Sequence, residues 1–230
     1  MKRIFFSRNA LFVCCFVIPG IFIFGMFRSF HSDIPVRLLP YYGTTKYDTL
    51  KKGTSILIDT NYFHVPGFHF RSQNGNEVTD RDLAGSIYVA EYFITSDSGK
   101  YRTTMKNMET VYQEFKENPD VKFVSFTGDS AALLRKYARE YDADATQWLF
   151  LTGNKNDLFK LARYGYLLEP GTDEAKFNLT SQLVLVDKEG HIRGYYDGAR
   201  DREIEKLKVE INLLLRTYDY DKKHTIQPPS

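Results

Sequence analysis

Cys14 and Cys15 are the only thiols among 230 residues. They are neighbours in an apolar run, so residues 16–230 contain no cysteine. Thiolate is the nucleophile of disulfide exchange, and it is the soft ligand that suits copper(I). What remains downstream is harder or weaker chemistry. His64 and His69 flank Pro66 and carry imidazoles suited to a metal or a hydrolytic triad, yet their spacing equally fits the approach to a strand with solvated side chains. Met105 and Met108 offer thioethers, but they fall on the apolar face of a helical pattern, where methionine fills core. His191 follows the turn glycine Gly190 and is expected at the surface. Asp97 and Ser98 precede a helix and read as its cap. Lys100 and Arg102 beside them suit an anion at that helix start. Asn178-Leu179-Thr180 has the form of a glycosylation acceptor.

The elements that would position these groups follow from composition and pattern. The chain is 43% hydrophobic and 26% charged, ordinary for a globular protein with a core. Its 18 Phe and 16 Tyr favour sheet. The net charge is +2, with Lys and Arg scattered, which argues against a nucleic-acid surface. Ala10–Phe27 is an uncharged run at the short end of a membrane span, preceded by Lys2, Arg3 and Arg8, which hold an N-terminus in the cytoplasm. The run is longer than a signal-peptide core and no A-x-A-like site follows it. It is expected to be an uncleaved anchor, with residues 1–9 cytoplasmic and the body exported; a cleaved signal peptide is the alternative. An exported body without cysteine must be stabilised by its core alone.

Residues 28–59 read as a linker and N-terminal extension, with a short strand at Ser55–Ile58. The body, 60–217, begins with alternation about Asn74-Gly75 that predicts a hairpin. Ser86–Thr95 predicts a buried strand. Thr103–Asn118 predicts a helix with Met105, Met108, Val111, Tyr112 and Phe115 inward. Strand Val121–Thr127, helix Ala131–Tyr141, strand Trp148–Thr152 and helix Lys155–Tyr164 follow. Gln182–Asp187 and His191–Tyr196 form a second hairpin, and Asp201–Thr217 a last helix. Residues 218–230 read as a frayed tail. Strand-helix-strand crossovers imply parallel neighbours, and a closing hairpin followed by a terminal helix is the thioredoxin ending.

Leu39-Pro-Tyr-Tyr-Gly43, Val65-Pro-Gly-Phe-His-Phe70, Ile87-Tyr-Val-Ala-Glu-Tyr-Phe93, Trp148-Leu-Phe-Leu-Thr-Gly153, Leu161-Ala-Arg-Tyr-Gly-Tyr166, Val184-Leu-Val-Asp-Lys-Glu-Gly190 and Ile192-Arg-Gly-Tyr-Tyr-Asp-Gly198 occur in this order. By these stretches the chain resembles the Sco/SenC family of membrane-anchored copper proteins over about residues 39–216. The resemblance implies an α/β, thioredoxin-like fold: a central mixed sheet flanked by helices, behind an N-terminal anchor and extension. It also implies a Cys-x-x-x-Cys motif after the first buried strand and a histidine before Gln182, which together bind copper. Here Asp97 and Tyr101 stand at the cysteine positions and Leu179 at the histidine position. The Asp-Pro segment expected after the next strand is shortened to Gly128-Asp129-Ser130. Copper is therefore not expected as a cofactor, and thiol redox at that site is excluded.

The expected role is that of a non-enzymatic accessory in respiratory oxidase or copper-site assembly. Residues 10–27 would tether it to the inner membrane, with the body in the periplasm facing a protein partner there. Asp97, Ser98, Lys100, Tyr101, Arg102 and Leu179 form the expected partner patch. Copper delivery through other ligands, or an enzyme with replacement chemistry around Asp97 and Tyr101, are the alternatives.

Overall fold

Side chains along β5 (Ile87–Phe93) alternate between two apolar clusters. Ile87, Val89 and Phe93 join one, and Tyr88, Ala90 and Tyr92 the other. The same division runs through β6 (Val121–Thr127), β7 (Trp148–Thr152) and β8 (Gln182–Val186). A strand buried on both faces needs a layer on each side. On the first face lie α1 (Lys100–Phe115), α2 (Ala131–Glu140) and α4 (Asp201–Thr225), which contribute Met105, Met108, Leu134, Leu207 and Ile211. On the second lie α3 (Lys155–Lys160) and the π-turn that continues it, Leu161–Gly165, with Leu158, Leu161 and Ala162.

The computed structural model describes residues 39–52, 55–93, 100–169 and 181–225, all within one unit, Leu38–Ser230. The expected anchor, and the loops carrying Asp97, Ser98 and Leu179, lie outside the described residues. Among those described, no helix is long and apolar enough to cross a membrane.

The main sheet also contains β3 (His69–Ser72), β4 (Glu77–Thr79) and β9 (Ile192–Asp197), in the order β4-β3-β7-β6-β5-β8-β9. β5, β6 and β7 are parallel; the other pairings are antiparallel. Both predicted hairpins form, the first turning through Gly75 at φ 85°. Between β3 and β7 only two residue pairs match directly. The Gln73 side chain extends the ladder: its amide N–H donates to the Trp148 carbonyl at 2.9 Å and its oxygen accepts from Phe150 N–H at 3.0 Å.

Three boundaries differ from the sequence expectation. α1 starts at Lys100 rather than Thr103, because the apolar stripe marks only the buried turns and the first turn precedes them. The segment read as linker contains β1 (Lys46–Lys52), antiparallel to β2 (Ser55–Asn61) in a separate two-stranded sheet. α4 runs on to Thr225 through the segment expected to fray. Its extension is fastened by Tyr218, whose hydroxyl bonds the Glu189 carboxylate and accepts from Lys188 N–H at 3.3 Å.

The outer edge of β9 is covered by the segment from Leu39 to Gly43. Tyr42 N–H donates to the Ile192 carbonyl at 3.0 Å. Arg193, 5% exposed, donates to the carbonyls of Leu39 at 2.6 Å and Pro40 at 3.1 Å. Its other terminal nitrogen meets the Asp187 carboxylate at 2.8 Å. Asp187 also accepts from the backbone N–H of Glu189 and His191. Breaking a buried ion pair strands the remaining charge. Arg193→Ala should therefore cost about 3–5 kcal/mol in urea unfolding, and Arg193→Lys should recover only part of that, since a single ammonium cannot reach both carbonyls and the carboxylate.

Candidate functional site

Parallel strands end at one edge of a sheet, and that edge is where α/β folds place their ligands. Here Phe93, Thr127 and Thr152 end β5, β6 and β7. The antiparallel β8 begins at the same edge with Gln182, which stands opposite Asp197 of β9. Residues 94–99, which follow β5, and 170–180, which precede Ser181 and β8, include Asp97, Ser98 and Leu179.

Beside this edge, Gly198 joins α1 to Ser181, the residue before β8. Its N–H donates to the Ser181 carbonyl at 2.7 Å, and its own carbonyl accepts from the Asn107 side chain of α1 at 2.9 Å. A Cβ at this glycine would stand 2.5 Å from Thr104 Cγ2 and 2.8 Å from the Ser181 oxygen. Asp197 binds the Ser181 hydroxyl at 3.2 Å, Ala199 N–H at 3.0 Å and the Arg200 guanidinium at 3.0 Å. Asn107 of α1 and Ser181, the residue before β8, are thus both bonded to Gly198 at the end of β9. Beside them, Thr127 donates to the Asp129 carboxylate at 3.0 Å and Thr152 to the Asp129 carbonyl at 2.5 Å, which ties the short Gly128-Asp129-Ser130 turn to β6 and β7.

Of the expected patch, Lys100, Tyr101 and Arg102 lie in the first turn of α1, and Arg102 is exposed. The remaining metal and catalytic candidates separate. Met105 and Met108 are fully buried. His69 pairs with Glu77 at 3.2 Å across the first hairpin. His64 lies against Gly190, and its ring centroid is 5.9 Å from that of His191. The surface expectation for His191 needs correction: it is half-buried, with Nδ1 bonded to the Phe63 carbonyl at 2.9 Å. Tyr41 and Tyr62 stack at 3.8 Å beside it, and the Arg193 guanidinium lies 4.0 Å from the Tyr41 ring centroid. Among the described residues, no group of three or more His, Cys, Asp or Glu side chains could hold a metal ion.

Sequence reasoning missed one acid. Glu91 lies on β5, two residues before the strand ends, and is 1% exposed. The Ser125 hydroxyl of β6 donates to its Oε1 at 2.6 Å. That hydroxyl oxygen in turn accepts from the Trp148 indole N–H at 2.9 Å. Burial pushes the Glu91 carboxyl up to about 7, against the opposing pull of the Ser125 bond. A charged type within an otherwise apolar strand was the available signal.

A SCO1/SenC family model matches residues 59–213. The chain belongs to the SCO1/SenC family. It is 26% identical over 167 residues to a SCO1 protein homolog of Bacillus subtilis (strain 168), covering 69% of this chain and 86% of that protein. Among solved structures, a SCO1/SenC family lipoprotein from Bacillus anthracis str. Ames superposes with a TM-score of 0.59 at 23% identity, covering 66% of this chain and 95% of that one. BsSco, described as a member of the Sco family of cytochrome c oxidase assembly proteins with a disulfide switch, gives 0.57 at 22%, covering 66% and 93%. The fold is thioredoxin-like, as the order of elements implied.

Because Gly198 is packed against Thr104 of α1 and the Ser181 carbonyl, Gly198→Ala should destabilise the SCO1/SenC domain by about 1–3 kcal/mol, the usual cost of overpacking. Chemical denaturation measures this, and the Ser181 carbonyl, being backbone, limits relief by rotamer change.

Proposed function

We propose that this protein is a membrane-tethered accessory in respiratory oxidase or copper-site assembly that binds a partner protein and performs no thiol or copper chemistry itself. The observation that carries the proposal is a SCO1/SenC domain, residues 59–213, in a chain with no cysteine after residue 15. On this reading the positions matching the family's ligands hold Asp97, Tyr101 and Leu179. A carboxylate, a phenol with an ordinary pKa of about 10 and an aliphatic group do not make a copper(I) site, which favours soft thiolate. No copper-transfer step follows from these residues.

The relatives support the setting. One is a lipoprotein and another belongs to a group of cytochrome c oxidase assembly proteins. On this reading residues 10–27 anchor the chain in the inner membrane, and the body stands in the periplasm. The partner surface consists of the two loops and the first turn of α1: Asp97, Ser98, Lys100, Tyr101, Arg102 and Leu179.

The test is site-specific photocrosslinking of the full chain in membranes of its own cell, with a photoreactive residue at position 97, 179 or 209. Val209 lies on α4 and is 66% exposed, which makes it the control. The expected result is one common adduct from positions 97 and 179 and none from 209. No adduct at either loop, or equal labelling from 209, would contradict the proposal.

A further inference from the structure

Two carboxyl groups are buried in the main sheet, and their surroundings differ. Asp187 has both oxygens engaged by Arg193 and by backbone N–H groups. Glu91 has Ser125 on one oxygen, while Oε2 has no hydrogen-bond partner among the described residues. Among the described residues no cation is paired with Glu91, whose carboxyl is set by burial and the Ser125 bond. The helices on its side of the sheet bring apolar groups: Met105, Met108 and Tyr112 from α1, Leu134 from α2, Leu207 and Ile211 from α4. The negative field of Glu91 contributes to holding Tyr141 up at about 12, behind burial and Glu140. An ionised Glu91 would thus be a buried anion with one hydrogen bond among the described residues, which a protein interior does not tolerate without rearrangement or hydration.

We propose that Glu91 is a protonation switch beneath α1: neutral, it lets α1 pack closely on β5; ionised, it draws water in and loosens the packing of α1. The coupling to partner binding rests on the reading in the previous subsection; the switch itself does not. The sign follows from the two states. The unfolded chain releases this proton near the ordinary value of 4.5, whereas the folded chain keeps it until about 7. The folded state binds more protons in that window, so its stability falls as pH rises from about 4.5 to about 7 and levels off above. The folding equilibrium constant should change on the order of 10²-fold across the window through this group.

The chain contains its own reporter, because it has one tryptophan and the indole is joined to Glu91 through Ser125. In the full chain, Trp148 emission should titrate with a midpoint near 7. Glu91→Gln should abolish the titration and remove this part of the pH dependence of unfolding. Ser125→Ala should weaken the optical signal while leaving the faster amide exchange of α1 above neutral pH. In the unsubstituted protein, infrared spectroscopy should show a neutral buried carboxyl band that disappears with the same midpoint, a readout that needs no variant to fold. A Trp148 titration that persists in Glu91→Gln, or an unsubstituted protein flat in both spectra, would overturn the switch. Crosslinking from position 97 should be stronger at pH 6 than at pH 8. Equal yields beside a titrating Trp148 would overturn the coupling. No adduct at any pH would count against the partner surface, while the spectra would still decide the switch.

Discussion

Burial of both faces of β5 through β8 is the constraint on which the rest of this molecule depends. The chain after residue 15 has no cysteine, so no disulfide can limit the unfolded state of the body. Apolar side chains on each side of four neighbouring strands must be covered by separate helical layers. That requirement sets the crossovers, brings α1 and α4 to one face and α3 with its π-turn to the other, and gathers the strand ends at one edge. Polar groups inside the sandwich then need particular partners. Gln73 completes the β3–β7 ladder, Gln147 binds three carbonyls at the join of α1 and β6, and Arg193 fastens the N-terminal segment over β9. Glu91 alone among these is held by a single bond.

The knot at Gly198 joins β9, α1 and Ser181 through backbone and short side-chain contacts. None of these contacts requires a thiol. On the proposed reading, in which Asp97, Tyr101 and Leu179 stand at the family's ligand positions, the scaffold keeps its shape without a thiol. That reading fits a surface used for recognition, where shape and a few polar groups matter more than a metal-binding donor set.

The main sheet and its helices were legible because their signals are local. Apolar runs marked β5 to β8, the 3.6-residue period marked α1 and α4, and alternation about Asn74-Gly75 marked the first hairpin. β1 was missed because Lys46–Lys52 mixes charged and polar types without an apolar alternation. The continuation of α4 was missed because apolar periodicity stops near Leu215, and its fastening through Tyr218 to Glu189 depends on a contact 29 residues away. The environment of His191 was misread for a similar reason: its partner, the Phe63 carbonyl, is 128 residues distant. Glu91 was visible as an acid within an apolar strand, but its isolation follows only from the layers packed over it.

The central claim is that the scaffold has outlived its copper ligands, and copper(I) competition against a chromogenic chelator under anaerobic conditions tests it most directly. The full chain should carry Cys14→Ser and Cys15→Ser, so that thiols of the apolar run do not contribute, and it should be compared with the same chain also bearing Asp97→Cys, Tyr101→Cys and Leu179→His. The account predicts that the first protein leaves copper with the chelator and that the second removes one equivalent. Tight one-to-one binding by the first would contradict it and would direct attention to His64, His69 and His191.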